Sequence, residues 1–191
     1  MTLKTIIEQL QLKHRDFTRT IEKLTEEEFK YSLNGDKWTA GQQLDHIYRS
    51  LKPLNKGLRL PKWMLKMVFK KANRPSRSFD GLVSKYEIKL RDGGKASGQF
   101  IPPKISFDRR EEIISKIHQT VDQMCVSLEK YSEHELDTLV LPHPLLGHIT
   151  LREMMYFTIH HADQHRQIVL RNSKNPTSEG HGNIDVSINL S

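Results

Sequence analysis

The sequence predicts an all-α protein, a bundle built on four long helices, and three observations carry that prediction. Apolar residues recur at three- and four-residue steps, three of the four helix starts carry capping signals, and the two halves of the chain repeat one order of elements. The first helix spans residues 2–24, where Leu3, Ile7, Leu10, His14, Phe17, Ile21 and Leu24 form one stripe. The second starts at Thr39, whose hydroxyl can cap it while Gln42 reaches back, and runs to about Leu51, where Pro53 bends or ends it. The third starts at Asp108 with Glu111 in the same arrangement and buries Ile113, Ile114, Ile117, Val121, Met124, Cys125 and Leu128. The fourth starts at Thr150 with Glu153 and extends to about Asn172.

The halves match in order. Thr25-Glu26-Glu27-Glu28-Phe29 follows the first long helix and Ser132-Glu133-His134-Glu135-Leu136 follows the third; a loop and then a Thr-capped helix bearing histidine come next in both. A duplicated helical pair would place the two histidine-bearing helices in equivalent positions, although chance similarity between helix starts gives the same pattern. Residues 1–172 then form one domain, with an insertion at about 61–107 and a polar tail at 173–191. The insertion holds a short basic helix, residues 62–70, a further turn at Asp80 to Leu90, and a Gly- and Pro-rich loop. In the short helix Lys62, Lys66 and Lys70 form one stripe, and Trp63, Met64, Met67 and Val68 the other. A lid, a dimer contact or a membrane-surface helix all fit such a segment, and packing across the open end of the bundle is the simplest. In the tail Val186, Ile188 and Leu190 alternate, which suits a short extended segment.

Composition narrows the function classes. At 191 residues the chain can bury a core without cross-links, and the single Cys125 excludes an intramolecular disulfide and a cysteine-based zinc site. The N-terminus lacks a signal-peptide core and no stretch reaches transmembrane length, so a soluble, cytoplasmic protein is expected. The net charge of +7 is local: ten Lys or Arg residues and no Asp or Glu lie between His46 and Phe79, leaving 20 basic against 23 acidic elsewhere. That block, residues 49–77, can attract phosphate, anionic lipid or an acidic substrate, or simply form a solvated face with basic loops. Nucleic acid is not the expected partner, because no groove-reading motif accompanies the charge.

The chemistry points to histidine. His161 and His165 stand one turn apart on the fourth helix, so both imidazoles project from one face and can grip one ion. Such a pair is also common as plain surface or core, and a catalytic metal centre usually needs a third ligand. His46 is the best one, flanked by Leu44 and Ile47 near the apolar face of the second helix. Three neutral imidazoles can hold Zn²⁺, Ni²⁺, Fe²⁺ or Mn²⁺, and affinity order alone does not choose among them. His14 and His118, at or beside apolar stripes, read as satisfied core histidines that could line a pocket; His134, His143, His148 and His181 receive no role. Gln42 and Thr158, each about a turn before a ligand, could orient bound water or substrate. Cys125 reads as an inert core thiol.

The run Trp38-Thr39-Ala40-Gly41-Gln42-Gln43-Leu44-Asp45-His46, taken with His161-x-x-x-His165-Arg166-Gln167-Ile168, resembles the DinB-like metalloprotein superfamily, and His143-Pro144-Leu145-Leu146-Gly147-His148-Ile149-Thr150 is similar to that family's approach to its last helix. The resemblance spans nearly the whole chain. It implies a four-helix bundle of up-down-down-up topology, with extra short helices and a long loop between helices two and three here. It also implies a metal site formed by His46, His161 and His165 with open positions for water, and a homodimer. His160 departs from the family pattern, in which an aromatic is common at that position, and a step of about 100° turns it off the His161 face. It reads as a packing or hydrogen-bonding residue.

Two function classes follow. One is a metal-dependent enzyme acting on a small-molecule substrate, either a hydrolase that activates water or an S-transferase that activates a low-molecular-weight thiol. The other is a non-catalytic stress-response or binding module with a structural or vestigial metal.

Overall fold

The computed structural model describes residues 1–68 and 71–173. The expected end of the short basic helix at Lys70, His181 and the alternating tail at 174–191 lie outside these residues. Within them the chain is mostly helical: α1 (Leu3–Glu22), α2 (Glu26–Lys30), α3 (Ala40–Leu58), α4 (Lys62–Val68), α5 (Phe79–Arg91), α6 (Arg110–Leu128), α7 (Glu133–Thr138) and α8 (Leu151–Ser173). The four long helices α1, α3, α6 and α8 pack in a closed circuit, α1 on α6 and α8, and α3 on the same two. Their shared interior is the core, with Ile6, Leu10, Phe17, Leu44, Ile117 and Met155 fully buried.

Local signals explain most boundaries. Thr39 Oγ1 accepts from the Gln42 N–H at 3.1 Å and Gln42 Oε1 accepts from the Thr39 N–H at 3.1 Å, which closes a capping box at the start of α3. Thr150 and Glu153 do the same for α8, and Thr25 with Glu28 and Ser132 with Glu135 for the one-turn helices α2 and α7. The order long helix, capped short helix, connection, capped long helix therefore occurs twice.

Three expectations change. Pro53 lies inside α3, which continues to Leu58: Pro53 is exposed, so the carbonyl it leaves without a partner can face water, and Leu51, Asn55 and Leu58 beyond it remain anchored in the interior. Asp108 does not cap α6. It sits in a 3₁₀ turn, Phe107–Arg109, that leads directly into the helix, and Glu111 pairs with Arg110 instead. The connection before α8 is a hairpin rather than a loop, β1 (Val140–His143) against β2 (Gly147–Thr150), antiparallel with Val140 opposite Thr150 and His143 opposite Gly147. Gly147 takes φ +72°, which the three-residue turn requires and most side chains resist.

The insertion is part of the body. Helix α5, capped by Ser78, packs on α8 and buries Leu82, Tyr86 and Leu90. The basic segment is solvated in part, with Lys52, Lys56 and Arg59 exposed, and tied down in part. Arg74 forks onto Glu153 at 2.7 and 2.8 Å, Arg77 adds its backbone N–H at 2.8 Å and its guanidinium at 3.0 Å, and Lys62 reaches Glu135 at 2.6 Å. Helix α4 corrects the packing expected of its apolar face: Leu65 is the buried residue, while Trp63 is 60% and Met67 76% exposed. No helix among the described residues is long and apolar enough to cross a membrane.

Candidate metal centre

His46 is carried by α3, and His161 and His165 by α8, on the faces these helices turn toward each other. The capping box sets the start of α3, and Gly41 lets that end approach the short helix before it. A Cβ on Gly41 would meet Phe29 Cε1 at 2.6 Å and Ile105 Cβ at 3.3 Å, so only glycine admits this spacing. The three predicted ligands come together. His161 Nε2 lies 3.2 Å from His46 Nε2 and 3.0 Å from His165 Nε2, and one ligand atom of each falls within 4.8 Å of the others. All three residues are buried.

The outer nitrogens decide the proton inventory. His46 Nδ1 donates to the Phe100 carbonyl at 2.7 Å, and His165 Nδ1 donates to the side-chain carbonyl of Gln43. Each partner is an oxygen acceptor, so the proton of each neutral ring sits on Nδ1 and its Nε2 presents a lone pair. His161 Nε2 faces both and carries at most one proton. At least one of the two contacts is therefore lone pair against lone pair, an arrangement a shared cation would relieve. Burial holds all three imidazoles below their ordinary basicity, and the neighbouring histidines push His161 and His165 down further. The rings are neutral, which is the form that ligates. Nitrogens about 2.0–2.1 Å from a tetrahedral ion stand about 3.3 Å apart, close to the separations observed. The donor set fits a divalent ion.

The surrounding rings hold the trio in place. Phe157 stacks on His161 with centroids 4.8 Å apart and 25° between planes, and Trp38 lies against His46 at 4.9 Å. The histidines border a cavity of about 530 Å³, walled mainly by apolar residues such as Ile47, Leu51, Tyr86, Leu90, Met154 and Phe157. Among the described residues no Asp or Glu lines it, and Lys95 is the single Lys or Arg that does.

Other expected roles resolve differently. Gln42 is engaged in the capping box and donates to the Pro102 carbonyl at 3.3 Å, so it stays away from the trio, and its neighbour Gln43 supports His165 instead. Thr158 lines the cavity while its hydroxyl donates to the Met154 carbonyl at 2.8 Å. His14 is a core histidine that also lines the cavity: its Nδ1 donates to the Leu10 carbonyl at 2.7 Å, and burial lowers its pKa to about 4. His118 shares a hydrogen bond with Thr18, and His160 packs near Tyr86, off the trio. His134 and His148 are exposed. Cys125 is buried, which raises its pKa to about 11 and leaves it a poor nucleophile.

Sequence reasoning gave His143 no role, yet it is a buried wall residue of the cavity. Its position depends on the hairpin, which local pattern did not signal. The Phe100 carbonyl was missed for the same reason, since nothing in a loop sequence announces which carbonyl will face a distant helix.

In comparison with known proteins, a family model described as the DinB superfamily matches residues 9–169. No curated protein and no solved structure matches the chain.

Proposed function

The chain belongs to the DinB superfamily, and from that membership and the convergent imidazoles we propose a divalent-metal-dependent enzyme whose protein ligands are His46, His161 and His165. The observation that carries the reading is the proton inventory. Two Nε2 lone pairs are fixed by oxygen acceptors on the opposite side of their rings, and the third ring has at most one proton to offer them. An ion held there, Zn²⁺ or Ni²⁺ before Fe²⁺ or Mn²⁺, would acidify a coordinated water or thiol or polarise a carbonyl.

The chain's own groups orient the ligands and keep water out. Gln43 and the Phe100 carbonyl set ring tautomer and direction, Phe157 and Trp38 restrain ring planes, and the apolar wall excludes bulk solvent. The lining favours a low-molecular-weight thiol over water as the nucleophile. A thiol starts from a pKa of about 8.5 against about 15.7 for water, so beside a bound cation it would be ionised at neutral pH with its proton released to solvent. Bound water would reach only about 7, and among the described residues the wall offers no carboxylate to serve as base.

The same reading treats residues 1–172 as one DinB-like unit in up-down-down-up order, with the 61–107 insertion and the 173–191 tail added to it. It takes the site of action as cytoplasmic and the working form as a homodimer, for which exposed Trp63 and Met67 offer apolar surface. The test is to load metal-free protein with each of the four ions and assay a panel of thiols against neutral electrophiles. Thiol consumption above the metal-free rate supports the transferase. Tight metal retention with no turnover supports the alternative, a stress-response or binding module with a structural metal.

A further inference from the structure

His143 sits at the end of β1, 8% exposed, where the hairpin turns the chain back over the cavity. Its Nδ1 accepts the backbone N–H groups of Leu145 and Leu146, both at 3.1 Å. Two donors on one ring nitrogen leave no room for a proton there. In the neutral ring the proton must sit on Nε2, and the hydrogen bonds of His143 among the described residues all fall on Nδ1. The ring meets Phe157 edge to face at 4.2 Å, and Phe157 in turn stacks on His161, so His143 stands one ring removed from the trio.

His14 is set in the opposite sense. It is 1% exposed, its Nδ1 proton is committed to the Leu10 carbonyl, and its Nε2 lone pair is without a partner among the described residues. The cavity thus has one neutral donor and one neutral acceptor fixed by backbone contacts behind them. The rest of the wall is mainly apolar, with Lys95 and a few neutral polar side chains such as Ser50, Gln99 and Thr158, and among the described residues it has no carboxylate and no arginine.

We propose that His143 is a positioning and specificity residue: its Nε2–H donates to an oxygen acceptor, such as a carbonyl or ether oxygen, of a neutral and otherwise apolar molecule bound in this cavity. The claim rests on the reading above for calling that molecule a substrate, but the binding itself requires no ion. An anionic ligand would be opposed by the His14 lone pair, with Lys95 the one cationic side chain of the wall among the described residues to offset it.

The test uses displacement of the neutral fluorophore prodan by benzophenone and by diphenylmethane, two probes of similar size that differ in one carbonyl oxygen. It is run on metal-free and metal-loaded protein, so that loss of metal and loss of the donor are read separately. His143→Asn keeps an acceptor for the turn amides and withdraws the donor from the Nε2 position, which the shorter amide side chain does not reach. Benzophenone affinity should fall about tenfold in this variant, the worth of one neutral hydrogen bond, while diphenylmethane changes less than about twofold. Equal changes for both probes, or no change for either, would overturn the proposal. Imidazole ¹⁵N spectra of the wild-type protein give an answer that needs no variant. A protonated Nε2 whose resonance moves with benzophenone and not with diphenylmethane is expected, and a protonated Nδ1 or an unmoved resonance would refute it.

Discussion

The ring of Phe157 lies nearly parallel to that of His161, its centroid 4.8 Å away, and it is this contact that holds the central imidazole of the trio. His46 and His165 are steered by hydrogen bonds from their outer nitrogens, whereas no outer hydrogen bond to His161 is present among the described residues. Phe157→Ala should therefore free the His161 ring and weaken metal affinity about tenfold, while Phe157→Tyr keeps it. Competition with a chromophoric chelator measures this; an unchanged affinity in the alanine variant would mean that the stack does not orient the ligand.

Adjacent glutamines separate support of the ligand from support of the fold. Gln43→Leu removes the acceptor for His165 Nδ1 and should cost about 10–100-fold in metal affinity. Gln42→Ala opens the α3 capping box and should cost about 1 kcal/mol of stability with little effect on the ion. Parallel denaturation and chelator titrations of the two variants check the contrast, which fails if both lose metal equally.

Gly41→Ala places a methyl group 2.6 Å from a carbon of buried Phe29. Overpacking of this kind costs about 1–3 kcal/mol, and because it acts at the head of α3 it should also reduce metal affinity by moving His46. Urea unfolding midpoints report the first effect; a variant as stable as the parent would show that the α3 approach is looser than described.

Glu153 gives a pH dependence with a definite sign. Burial raises its pKa, but hydrogen bonds from Arg74 and from the backbone N–H groups of Arg77 and Thr150 outweigh burial and bring it to about 2, against 4.5 for a free glutamate. The folded value lies below the unfolded one, so the contribution to stability is complete above about pH 4.5 and is lost as pH falls toward 2. Glu153→Gln should cost about 2–3 kcal/mol at neutral pH and flatten the stability profile across that acid window. An unaltered acid limb in the variant would show that other carboxylates carry it.

Local chemistry was legible in the sequence and long-range chemistry was not. The Thr39 and Thr150 capping boxes and the α6 stripe from Ile113 to Leu128 depend on neighbours three or four residues apart, and each appears in the structure where the pattern placed it. Asp108 matched the same pattern but lost to a 3₁₀ turn, and Pro53 was tolerated because residues beyond it are held in the core. The juxtaposition of His46 with His161 and His165 was legible because apolar neighbours and residue type marked all three. Gln43, the Phe100 carbonyl and His143 were not, since each acquires its part from an element distant in sequence or from a turn that brings no periodic signal.

The most direct test of the central claim is elemental analysis of the full chain purified without a metal-affinity tag, alongside His46→Ala, His161→Ala, His165→Ala and the triple variant. The account expects about one divalent ion per wild-type chain and sharp loss in every variant, with helical content largely retained by circular dichroism. Stoichiometric metal persisting in the triple variant, or a wild-type chain that takes up none of Zn²⁺, Ni²⁺, Fe²⁺ or Mn²⁺, would contradict it.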